Sequence, residues 1–166
     1  MPAQLTAFGC VAYTPTDGLL VGGRLHPSIA AQTAVYTYDR TADAFTAVGD
    51  LEEATSNIAC GSKASANGNV LVLCTGGQTD AGGDSIKTYA LDVAGKKLVT
   101  RAEWDLPAAV EVARVVAVAN GLSVTGENVA YEFVEDGEGG VFWEQVYEIV
   151  GYGVPVAVQL DFLQYD

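Results

Sequence analysis

The sequence predicts an all-β chain of three four-stranded blades, and three observations predict it. First, a motif returns along the chain. Gly18 leads to the doublet Gly22-Gly23, then Tyr36, Tyr38-Asp39 and Phe45; Gly68 leads to Gly76-Gly77, then Tyr89, Leu91-Asp92 and Leu98. A looser third copy runs from Gly121 to Gly126, then Tyr131, Phe133, and Phe142 or Trp143. Second, the spacing from Tyr38 to Phe45 equals that from Leu91 to Leu98. Third, Asp17-Gly18, Asn67-Gly68 and Asn120-Gly121 punctuate the copies at one place. A repeat of about fifty residues made of short strands and turns is the mark of a β-propeller, one blade per repeat.

The elements follow in order. Blade one, residues 1–52, takes strands at 5–13, 19–22, 34–39 and 44–48. Blade two, residues 53–107, takes 57–65, 70–74, 85–91 and 98–104. Blade three, residues 108–149, takes 114–119, 122–125, 129–134 and 141–147. Residues 108–118 have some helical character, but their β-branched content and their register with the other first strands favour a strand. Asn-Gly and Asp-Gly supply the positive φ of tight hairpins, so Gly18, Gly68 and Gly121 are expected in that conformation. The doublets Gly22-Gly23 and Gly76-Gly77 end the second strands, where a sharp turn or close backbone approach needs glycine.

Cys10 and Cys60 each lie eight residues before a motif glycine, and Ala113 holds that place in the third copy. A position occupied by Cys, Cys and Ala reads as a small buried packing site, and Cys74 reads likewise. Three cysteines form no complete disulfide framework, which leans toward a reduced, intracellular setting.

These blades resemble the kelch repeat across nearly the whole chain. Kelch blades carry a Gly-Gly doublet after the second strand, here Gly22-Gly23 and Gly76-Gly77. They carry a Tyr-Asp pair in the third, here Tyr38-Asp39, with Leu91-Asp92 and Phe133 as the later counterparts. The Trp of their fourth strand is replaced by Phe45 and Leu98, and is matched by Trp143 or Phe142. The resemblance implies a propeller of six or seven blades and, most often, a protein-binding role. Three blades do not close a ring.

After the third blade, Val154, Val156, Val158, Leu160 and Phe162 alternate with other residues, the period of a half-buried strand. The segment 150–166 is therefore expected to supply a strand for closure or for a partner. Trp104, which like Tyr13 has no repeat equivalent, joins Tyr147, Tyr152 and these five residues as the interface candidates.

Composition narrows the function. With 21 acidic and 8 basic residues the formal charge is −13, which repels phosphates and makes nucleic acid and anionic membrane poor partners. No apolar run approaches the roughly 18 residues that would span a membrane. The first residues lack the basic and apolar regions of a signal peptide.

The catalytic inventory is thin. His26 is the single histidine, so a multi-histidine metal site within one chain is excluded. With it goes the copper-oxidase chemistry found on some kelch propellers. A Ser-His-Asp triad would have to use His26, and no nucleophile-elbow motif occurs. The glycine clusters at 76–83 and 137–140 lack the Lys-Ser/Thr of a phosphate loop. Asp80, Asp84 and the acidic run 135–138 are hard-oxygen donors without calcium-loop spacing. No cofactor is expected. The expected role is a non-catalytic binding or assembly scaffold whose partner is a second copy or the subunits of a larger complex. The alternatives are a lectin using loop aromatics and a hydrolase or epimerase using Asp80 and Asp84.

Overall fold

The computed structural model describes residues 5–64, 69–110, 114–118, 121–126, 129–135 and 141–148. The strands are β1 (Leu5–Thr6), β2 (Gly9–Ala12), β3 (Asp17–Val21), β4 (Arg24–Leu25), β5 (Ala30–Asp39), β6 (Ala44–Ser56), β7 (Ala59–Ala64), β8 (Val70–Thr75), β9 (Gln78–Thr79), β10 (Thr88–Asp92) and β11 (Lys97–Thr100). A 3-10 turn (Ala102–Trp104) follows, then β12 (Arg114–Val118), β13 (Gly121–Thr125), β14 (Val129–Glu135) and β15 (Val141–Glu148).

Three four-stranded antiparallel meanders emerge: β2-β3-β5-β6, β7-β8-β10-β11 and β12-β13-β14-β15. The innermost strands β2 and β12 both lie against β7, so the blades fan out from one line as in a propeller. The chain is all-β, a partial propeller of three blades.

The ladders fix the repeat. Tyr38 pairs with Phe45, Leu91 with Leu98, and Phe133 with Trp143, which settles the third copy on Trp143 rather than Phe142. Alternation gives each blade two faces. The leading face of blade two (Val72, Cys74, Tyr89 and Leu91) packs on the trailing face of blade one, on Leu19, Val21 and Val35. The leading face of blade three (Leu122, Val124, Tyr131, Phe133 and Trp143) packs on Leu73 of blade two, with Leu106 and Val110 of the linker. Burying one such Leu or Val contributes about 1.5–3 kcal/mol, so these two interfaces hold the blades in line.

Several sequence expectations are corrected. Gly18 and Gly121 sit inside β3 and β13 and are absent from the positive-φ glycines. In blade one the closing pair is Ala12 with Gly18, and the wider loop is tied by Thr14, whose Oγ1 accepts from the Asp17 N–H at 2.8 Å. In blade three Gly121 pairs with Val118 as the first residue of β13. Gly68 lies outside the described residues. Positive φ belongs instead to the doublets: +58° and +102° at Gly22 and Gly23, +69° and +92° at Gly76 and Gly77.

The predicted first strand, 5–13, breaks at Ala7, whose φ is +52°, so that β1 leaves to pair with β4. The predicted boundary at 52/53 falls inside β6. This strand continues past blade one to pair Thr55 with Thr79 and Ser56 with Gln78 of β9. In blade two the last strand stops at Thr100, and Ala102–Trp104 is a 3-10 turn rather than strand.

The cysteines also differ. Cys60 and Cys74 face each other across β7 and β8 and form a disulfide. Cys10 is a free, exposed thiol, and Ala113 lies outside the described residues. Counted along the ladders from the doublets, the third-blade equivalent of Cys10 and Cys60 is Val115.

Candidate functional site

Antiparallel order brings the connection between the second and third strands of each blade to the same end as the linker to the next blade. Residues 22–32 and 76–87 and the linkers around 51–58 and 101–110 therefore gather at one end, where Asp80, Asp84, His26, Arg101 and Trp104 all lie.

The doublets shape this end. Gly22 folds against the backbone of Thr55, and the Gly23 N–H donates to the Thr55 carbonyl at 2.9 Å. Behind them the 24–32 loop is fastened to blade two by Asp80. Both Asp80 carboxylate oxygens accept the Ala31 N–H at 3.0 Å, and Arg24 approaches Asp80 at 3.5 Å. Asp84 is exposed, and its backbone bridges to Gln78. His26 is exposed in the same loop.

A second brace joins the two linkers through residues that the sequence did not single out. Lys87 Nζ donates to Asp105 at 2.9 Å and lies 3.3 Å from Glu52. Its charged form is held by the bond to Asp105 first, then by Glu52, so its pKa is raised. Ser85 donates to Glu53 beside it. Beneath them Tyr89 is buried, its hydroxyl turned toward the backbone of Glu52 and Glu53 without a hydrogen bond of good geometry. Burial pushes its pKa up to about 12.

Trp104 is engaged within the chain. Its ring stands edge-on to Phe133 at 6.2 Å, Arg101 covers its other side at 5.0 Å, and its carbonyl accepts from Trp143 Nε1 at 2.7 Å. Trp143 Nε1 also reaches Thr88 Oγ1 at 3.2 Å. Trp104 thus seals the joint between blades two and three. Of the other interface candidates, Tyr147 has only its backbone described, in β15. Tyr152, Val154, Val156, Val158, Leu160 and Phe162 lie outside the described residues.

Among the described residues no group of three or more His, Cys, Asp or Glu is placed to hold a metal ion, and no described helix is long and apolar enough to cross a membrane. A scan against family models finds no match, and a search of curated proteins returns no match.

The brace carries a prediction. A raised tyrosine pKa means that the fold favours the neutral phenol. That contribution is complete below the ordinary pKa of 10.0 and is lost as pH climbs toward about 12. The raised pKa of Lys87 acts in the same sense. Tyr89→Phe should therefore flatten the alkaline loss of stability, as read by urea unfolding at pH 8 and pH 11. Near neutrality the variant should be as stable as the parent or about 1 kcal/mol more so, because the buried hydroxyl is unpaired. An unchanged alkaline slope would show that Tyr89 does not set it.

Proposed function

We propose that the protein is a non-catalytic assembly scaffold of kelch-like blades that works by binding other protein surfaces. The observation that carries this reading is the use made of the polar end. Asp80 spends both oxygens on a backbone N–H of the neighbouring blade, and Lys87, Asp105, Ser85 and Glu53 are consumed in bracing the linkers. A catalytic carboxylate pair needs free oxygens facing a cleft, whereas these act as rivets between blades. The charge of −13 directs the choice of partner away from phosphate-bearing polymers and toward protein.

The reading is tested by the mass of the native particle in extracts of its own cells, measured at physiological salt. An assembly scaffold should travel in a particle heavier than the 17.3 kDa of one chain. A particle of single-chain mass would end the proposal, and specific binding on a glycan array would favour the lectin.

A further inference from the structure

The three blades have equivalent leading faces, and among the described residues only two of them are covered. Counted along the ladders from the doublets, Cys10, Cys60 and Val115 share one position, as do Leu20, Cys74 and Val124, and Tyr36, Tyr89 and Tyr131. Tyr38, Leu91 and Phe133 share the next, with Phe45, Leu98 and Trp143 opposite them. In blade two, Cys74, Tyr89 and Leu91 are 1%, 2% and 6% exposed, and in blade three Val124, Tyr131 and Phe133 are 0%, 4% and 5% exposed. In blade one Cys10 is exposed, and Leu20, Tyr36, Tyr38 and Phe45 are only half-buried. The same apolar positions are thus in place with no described blade in front of them.

The chain's own third blade is poorly made to cover that face in a second copy. Inner strands approach closely because each trailing face offers a glycine. A Cβ on Gly9 would stand 2.8 Å from Cys60 Sγ, and one on Gly61 would collide with Val115. The ladder equivalents in blade three are Arg114 and Val116. Further out, where blades one and two have Leu19 and Leu73, blade three has Ser123, itself 5% exposed and paired with Glu132, which in turn faces the exposed Glu144. Bulk and carboxylates replace the socket, as on the capping repeat of a stacked array. Among the described residues one end of the fan is open, and the other, although Val116 is exposed on it, lacks the glycine and leucine socket.

We propose that two copies of the chain meet through their open ends, the leading face of blade one against its own twin about a two-fold axis. The inference rests on the scaffold reading and names its surface and partner. A face that meets its own twin closes as an isologous pair. Charge points the same way. Two chains of −13 each repel unless they touch where carboxylates are missing, and Cys10, Leu20, Tyr36, Tyr38, Phe45 and Ala47 carry none. Of the acids close by, Asp43 and Asp50 are engaged as acceptors for Tyr38 and Thr33, and Asp39 also lies near Tyr38.

The test is sedimentation equilibrium of the purified full chain from about 1 to 100 µM, with three variants checked by circular dichroism. The parent should show twice the 17.3 kDa chain mass. Leu20→Glu should fall to the single-chain mass with an unchanged spectrum, and Val116→Glu on the capped end should remain paired. Tyr36→Ala, which adds no charge, should weaken association at least tenfold and guards against misfolding of Leu20→Glu. Pairing should also slow maleimide labelling of Cys10 as concentration rises. A parent that stays single at 100 µM overturns the proposal. So does a dimer that survives Leu20→Glu and Tyr36→Ala, or one that Val116→Glu dissolves. A single parent chain combined with a heavy native particle would refute the twin while leaving the scaffold reading in place.

Discussion

Gly22→Val should cost about 3 kcal/mol or more, and folded protein should be largely lost on expression. Two penalties combine. The backbone at Gly22 has φ +58°, where a β-branched side chain is strained by roughly 1–2 kcal/mol. The added carbons would also run into the Thr55 carbonyl and Leu51, and overpacking a closed site costs about 1–3 kcal/mol more. Urea unfolding of any soluble variant measures the loss. Gly82→Val supplies a steric contrast, because Gly82 has a positive φ but nothing within 4 Å of its Cβ position; it should lose only the backbone share. Equal losses at both sites would mean that crowding against Thr55 contributes nothing.

Breaking the Cys60–Cys74 disulfide should cost about 3 kcal/mol. The bond closes a short loop, with the two residues 14 apart, and loop-closure entropy for that length is worth about 3 kcal/mol. The Cys60→Ser, Cys74→Ser double variant should unfold at correspondingly lower denaturant, and the parent should match it once a strong reductant is present. Cys10→Ser, at an exposed thiol, should be nearly neutral. A parent whose stability ignores reductant would show that the bond is not formed in solution.

Much of this fold could be read from the chain because strand pairing is a local, period-two affair. Tyr38 with Phe45 and Leu91 with Leu98 were separated by the same short hairpin, and that hairpin fixes their register. The glycine reading failed where it relied on dipeptide preference alone. Asn120-Gly121 reads as the turn itself, yet Gly121 is already paired with Val118 in the ladder. The disulfide had a legible signal that repeat alignment obscured: Cys60 and Cys74 straddle the Gly68 hairpin and so oppose each other when its strands pair. The braces were not legible. Lys87 meets Asp105 and Glu52 only after two linkers have been brought to one end of the blades, and no spacing along the sequence encodes that meeting. Trp104 was read as a surface aromatic because it lacks a repeat partner; the joint that it seals exists only between blades.

The length of β6 has a consequence for how the molecule opens. In a stacked array of repeats each unit can fray by itself, with neighbours held only by their shared interface. Here one unbroken strand serves blade one along most of its run and then joins the ladder of β9 in blade two. The amides of blades one and two should therefore exchange with solvent hydrogen as a single cooperative unit. Blade three, whose described strands pair only with one another among the described residues, shares no such described strand with blade two, and its amides should open first and at lower free energy.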